Sequence, residues 1–260
     1  MGKHFTHYAE DDDGVTAFFS DGTTARGSIL VGADGAHSHV RKQLLGLEAQ
    51  LAPYIPVLGS GHYSKEIYEP IHNLGTAAVA VGGEGLRMII SPLSINEDGS
   101  SAHYYWAAMF RSHDPKKDDA WVINASKEEM YAKGLEITAN VPDMVKNMIK
   151  ATKVEDMMKP PLKFVEFSPP DTLPRGRVTI LGDASHSMMP FKGAGVNTAI
   201  QDACDFADII GQASNLHDRD TLLGALHDYG KVVVVRGQKM VAASHAAGEN
   251  MSEHIGGKSK

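Results

Sequence analysis

Residues 177–210 constrain the fold more than any other stretch of this chain. Val178 to Leu181 is a short apolar run rich in β-branched residues, as expected of a buried strand. Gly182 and Asp183 stand at its end, Pro190 fixes an extended loop, and Gly193 and Gly195 remove side chains where a helix begins. The helix carries Val196, Ala199, Ile200, Ala203, Ala207 and Ile210 at helical spacing. Asn197, Gln201, Asp202, Asp205 and Asp208 lie on its other side. A helix start opened by glycines presents free N–H groups that a ligand can approach closely. The acid at the strand end can accept from a sugar hydroxyl while those N–H groups meet electron-rich oxygens.

The same logic occurs a second time. A buried strand over residues 28–31 ends at Gly32-Ala33-Asp34-Gly35-Ala36-His37-Ser38-His39-Val40-Arg41, and Ser38 can cap the helix that follows through Val40, Leu44 and Leu45. His37 and His39 alternate, but no carboxylate or cysteine cluster joins them, so no metal site is expected.

These two stretches resemble the internal motifs of the aromatic-hydroxylase (para-hydroxybenzoate-hydroxylase-like) class of FAD-dependent monooxygenases. The resemblance implies that Asp183 contacts the ribityl or ribose part of FAD, and that Pro190, Gly193, Ala194, Gly195, Val196 and Asn197 lie against the isoalloxazine ring. It implies that Asp34 and Gly35 lie near the pyrophosphate and ribose, with Gly182 shaping the second turn. Arg41 and Lys192 are candidates to offset phosphate charge, and His186 is a candidate for orienting the loop or donating a proton. The fold implied is α/β with a mixed α+β character: a partial Rossmann-like FAD-binding domain carrying an inserted antiparallel-sheet substrate domain. The activity implied is NAD(P)H- and O₂-dependent hydroxylation or epoxidation of an aromatic or polyketide-like molecule, in secondary metabolism or aromatic catabolism.

The remaining texture gives the domain organisation. Residues 3–9 and 14–19 alternate as strands around the turn Asp11-Asp12-Asp13-Gly14, and Asp21-Gly22 makes a second turn. Residues 48–168 differ. Apolar runs at 76–81, 86–90 and 103–110 read as antiparallel strands, with Gly82-Gly83-Glu84-Gly85 as a turn between two of them. Asp114 to Asp119 reads as a solvated turn. Ser126 with Glu129 forms a capping box, and Pro142 opens another helix. Pro160-Pro161 stops the helical region, and 162–167 reads as a last strand. Tyr104, Tyr105, Trp106 and Met109 are candidates for the wall of a substrate pocket in that domain. Residues 220–250 read as one or two helices capped by Asp220-Thr221, ahead of a frayed tail at 255–260. The expected parts are 1–47 with 169–260, and 48–168 as the insert.

Charge and cysteine content narrow the classes. With 25 basic and 32 acidic residues the net charge is −7, which argues against non-specific nucleic-acid binding. One cysteine, Cys204, excludes an internal disulfide. The start lacks a signal-peptide core and no apolar run is long enough for a membrane span, so a cytoplasmic protein is expected.

No Gly-x-Gly-x-x-Gly, the turn that holds a dinucleotide pyrophosphate, occurs in the sequence. The resemblance therefore covers nearly all of this chain but only the C-terminal part of the family's architecture. This chain alone is expected to bind FAD weakly or not at all: either a second polypeptide supplies the N-terminal half, or the sequence is a truncated or split gene product, or the fold closes in an unusual way. The alternative function is a non-catalytic truncated remnant or binding module of the same fold.

Overall fold

The computed structural model describes residues 2–75, 78–81, 85–158 and 163–253. The chain divides into two compact units. One comprises the residues up to Gln50 with Val165–Gly248, and the other Leu51–Phe164 with the chain from Glu249 onward.

In the first unit, β1 (Phe5–Glu10), β2 (Val15–Phe19) and β3 (Thr24–Gly27) form an antiparallel meander. Its first turn is held by Asp11, whose Oδ1 accepts from the Asp13 and Gly14 N–H groups and whose carboxylate pairs with Arg26. The chain continues through β4 (Leu30–Gly32) into α1 (His39–Leu45), capped by the Ser38 hydroxyl accepting from Arg41 N–H at 2.8 Å. The two-residue strand β5 (Gln50–Leu51) follows.

The second unit opens with β6 (Tyr54–Ser64), α2 (Lys65–His72), β7 (Ala78–Val81), β8 (Arg87–Ile95) and β9 (Ser101–Arg111). These strands form one antiparallel sheet in the order β6-β9-β8-β7. Helices α3 (Pro115–Asn124), α4 (Lys127–Ile137) and α5 (Asp143–Ala151) complete it. The expected capping box is present at Ser126 and Glu129. The helix α3 replaces the expected solvated turn at 114–119. Asp114 accepts from Lys117 N–H, Pro115 takes the first helical position, and Val122 is buried, so the charged run is a helix start.

Trp106 organises this unit's core. It is buried among Val57, Met130 and Met148, and its indole N–H donates to Thr152 Oγ1 at 2.9 Å. Tyr104, also buried, places its hydroxyl 3.0 Å from His72 Nδ1. Both side chains point to the core face of β9, so neither lines an open substrate pocket. Alternation along a strand cannot say which of its two faces the helices cover.

The chain returns to the first unit through β10 (Val165–Glu166) and β11 (Val178–Ile180), followed by the single turn α6 (Asp183–His186), α7 (Gly195–Gln212) and α8 (Arg219–Glu253). β11 pairs in parallel with β4, Ile180 opposite Gly32. The region read as one or two helices is one, with the β-branched run 232–235 inside it. Its start is held by Asp218, whose carboxylate accepts from Thr221 N–H at 2.8 Å, where Asp220 was expected to act. Of the remaining expectations, residues 76–77, the turn at 82–84, Pro160-Pro161, Leu162 and the tail at 255–260 lie outside the described residues.

Gly59 faces Trp106 across the β6–β9 pair, and a Cβ built there would lie 2.7 Å from the indole. The ring closes against the bare backbone of Gly59, and Gly134 of α4 also approaches it. Gly59→Ala is expected to lower unfolding free energy by about 2 kcal/mol through overpacking, measured by urea denaturation.

Candidate functional site

The parallel pair β4–β11 ends its two strands side by side, and the two acid–glycine turns leave from those ends. Between them and the start of α7 lies a cleft of about 530 Å³. Ala33, Gly35, Gly182 and Asp183 contribute the turns, Met188, Met189 and Pro190 the loop, and Gly193, Gly195 and Val196 the helix start.

The two acids differ in what they face. Asp34 is committed to its own helix: its carboxylate accepts from Ser38 Oγ and from the N–H groups of His39 (2.8 Å) and Val40 (3.1 Å). An acid that satisfies the orphan donors of a helix start is a capping residue. The neighbouring Gly35 lines the cleft. Asp183 is exposed, lines the cleft, and makes no side-chain hydrogen bond or ion pair among the described residues. Its carboxylate is free to accept from a ligand.

The expected role of Arg41 in offsetting phosphate charge is corrected by its position. Its guanidinium is buried and donates to the carbonyls of Ala36 (2.7 Å), Ala184 (3.2 Å), Asp183 (3.4 Å) and Leu47 (3.4 Å). Its outer carbon stands 4.4 Å from the centre of the Phe167 ring. Burial pulls this group below its usual pKa, against the charges of Asp34 and Glu48. Each of these bonds ends on a carbonyl, so Arg41 ties the two turns together and does not face a phosphate.

His186 is also buried and does not touch the cleft. Its Nε2 lies 2.5 Å from Asp202 Oδ2, and the same oxygen accepts from Gly182 N–H at 3.0 Å. Asp202 Oδ1 accepts from Arg236 at 2.6 Å, and Arg236 also pairs with Asp205. Neighbouring Tyr229 donates to the Ile180 carbonyl at 3.3 Å. Burial first, and then the Asp202 charge, push its phenol far above the usual range, so it stays a neutral donor. A proton-donating His186 at the ligand is therefore excluded, whereas its place beneath the loop fits an orienting role.

Asp202 is the buried acid that periodicity placed on the wrong side. The apolar positions Val196 and Ile200 of α7 are 73% and 57% exposed, while Asp202 is 0% exposed. The helix turns Thr198 and Asp202 inward, one turn apart, and Asp202 reaches His186 and Arg236. The only signal in the sequence was the presence of possible counter-charges, and nothing local pairs them.

The donor set suits FAD. Helix geometry leaves the first N–H groups of α7, at Gly195, Val196 and Asn197, without intrahelical partners. A Cβ added at Gly193 or Gly195 would meet nothing within 4 Å, so the backbone there is open to close approach. Free N–H donors, one unengaged carboxylate and apolar walls from Met188, Met189, Pro190 and Val196 match a flat heteroaromatic ring carrying a hydroxylated chain. Asn197 is exposed beside them, and Ala194 precedes the first turn.

The comparisons agree with this chemistry. The model of the FAD binding domain family matches residues 1–241. The chain belongs to that family, in the aromatic-hydroxylase class of FAD-dependent monooxygenases. It is 32% identical over 255 residues to the FAD-dependent monooxygenase thnD of Trichoderma harzianum, covering 94% of this chain and 62% of the relative. It is 30% identical over 218 residues to an FAD-dependent urate hydroxylase of Klebsiella pneumoniae, covering 83% and 52%. A salicylate hydroxylase in complex with substrate superposes with a TM-score of 0.74 at 26% identity, over 98% of this chain and 62% of that one. The chain thus spans between half and two thirds of the length of these relatives. The mixed α/β architecture is that of FAD-dependent hydroxylases. Among the described residues no helix is long and apolar enough to cross a membrane.

Arg41→Met would leave the Ala36 and Ala184 carbonyls without their charged donor. It is expected to cost about 3 kcal/mol of stability in denaturant unfolding. A loss below about 1 kcal/mol would mean that these carbonyls find other donors.

Proposed function

We propose that this chain belongs to an FAD-dependent monooxygenase that uses NAD(P)H and O₂ to oxidise a small aromatic or polyketide-like molecule. The observation that carries the reading is Asp183, unengaged and facing the glycine-opened start of α7 across one cleft. Similarity to a urate hydroxylase and a salicylate hydroxylase supports a small, planar aromatic substrate. When bound, FAD supplies the redox chemistry, taking electrons from the reduced nicotinamide and activating O₂. In this reading Asp183 accepts from a hydroxyl of the flavin side chain. The N–H groups of Gly195, Val196 and Asn197 face the electron-rich edge of the ring, where fixed donors stabilise developing negative charge. Met188, Met189 and Pro190 keep water from that edge.

The ultraviolet–visible spectrum of the purified protein titrated with FAD tests this directly. Flavin absorbance bands that shift weakly are expected of this chain alone and strongly once the rest of a relative's length is supplied, and bands unshifted in both would rule the reading out. Asp183→Ala removes a charge-assisted hydrogen bond of about 1.5–3 kcal/mol, so the FAD dissociation constant should rise at least roughly tenfold. An unchanged constant would sink the assignment of Asp183.

A further inference from the structure

We propose that Asp202 is the positioning residue of the flavin-binding turn. It sets the direction of Asp183 through the backbone of Gly182 and makes that direction depend on α8 through Arg236. The inference rests on the reading of Asp183 as a flavin contact.

A fully buried carboxylate is stable only when its oxygens are met by donors, and those of Asp202 are met from two other elements. Oδ2 takes the Gly182 N–H (3.0 Å) and lies 2.5 Å from His186 Nε2, so it grips both ends of the turn Gly182–His186. An ionised carboxylate only accepts, so Nε2 carries the proton of that bond. Oδ1 takes Arg236 from α8 at 2.6 Å, and Arg236 is held in turn by Asp205, one helical turn further along α7. The backbone at Gly182 has φ +59° and ψ −143°, which side chains rarely tolerate. A Cβ there would also lie 3.2 Å from Ala199. A glycine backbone so placed has few steric restraints of its own, and the Asp202 oxygen fixes its N–H. Asp183 is the next residue, and its side chain has no partner among the described residues to aim it. Its aim is therefore inherited from Gly182.

The test is a double-mutant cycle on the full chain, read by FAD titration and by hydrogen exchange of residues 181–187. Asp202→Asn keeps the shape and one acceptor but removes the charge that holds both Gly182 and Arg236. It should raise the FAD dissociation constant roughly tenfold and quicken exchange across the turn. On an Asp183→Ala background the same change should add nothing, because Asp202 acts through Asp183. Arg236→Lys, which keeps the charge but loses the fork that bridges Asp202 and Asp205, should give a smaller loss in the same direction. A merely structural Asp202 would lower the melting temperature and weaken FAD equally on both backgrounds. Additive effects, or an unchanged constant in Asp202→Asn where Asp183→Ala weakens binding, overturn the proposal. If Asp183→Ala itself changes nothing, the assignment of Asp183 as a flavin contact has failed instead. The positioning of the turn is then decided by exchange alone, and unchanged protection at 181–187 overturns it. Should Asp202→Asn not fold, Arg236→Lys takes its place in the cycle: loss of FAD affinity that vanishes on the Asp183→Ala background supports the proposal, and additive or absent loss overturns it.

Discussion

The buried guanidinium of Arg41 is the constraint on which the cleft depends. The two acid–glycine turns lie on strands far apart in the chain, and the bond from Arg41 to the Ala184 carbonyl closes a separation of 143 residues. The parallel pairing of β4 and β11 aligns the strands but stops at their ends. Beyond those ends the backbone carbonyls have no ladder partner, and a buried carbonyl without a donor is costly. Arg41 supplies donors to both turns from one planar group, on a helix whose start Asp34 and Ser38 hold in place. Thus Asp34 supports the site at one remove, by fixing the helix that carries the clamp.

The local parts of this architecture were legible in the sequence for physical reasons. A β-branched run, a glycine turn, a capping serine and a capping box each act within a few residues, so their signatures are short. The meander around Asp11, the start of α1 at Ser38 and that of α4 at Ser126 follow from such signals. The roles of Asp34, Arg41 and His186 depend instead on which groups the tertiary fold brings within hydrogen-bond reach. The family resemblance implied a ligand contact for Asp34, while Arg41 was a candidate for phosphate compensation and His186 for loop orientation or proton donation. Phosphate compensation by Arg41 and proton donation by His186 are at odds with where those buried side chains lie, and an orienting His186 is compatible with it. The helix at 115–124 was hidden for another reason: its charged first turn has the composition of a solvated loop. The Asp114–Pro115 pair that starts it was the readable signal.

The rotation of α7 shows how electrostatics can override amphipathic patterning. Turning Val196 and Ile200 inward would have buried more apolar surface, but it would have carried Asp202 away from Gly182, His186 and Arg236. Buried ion pairs seldom add net stability over apolar packing. What they add is a defined geometry, and here the defined geometry belongs to the glycine turn beside the cleft. Hydrophobic stabilisation falls elsewhere in the unit, on Val178, Ile180 and Val40 around the sheet and on Leu222, Leu223 and Leu226 of α8.

That rotation leaves a thiol in a revealing place. Cys204, the chain's single cysteine, is exposed on α7 one helical turn beyond Ile200. Alkylation by a small neutral reagent follows solvent access at a free thiol, so the modification rate of Cys204 measures how much of that helix face is in water. One chemical label, with no engineered probe, can therefore register whether the apolar side of α7 is bare or covered under any condition in which the protein is handled.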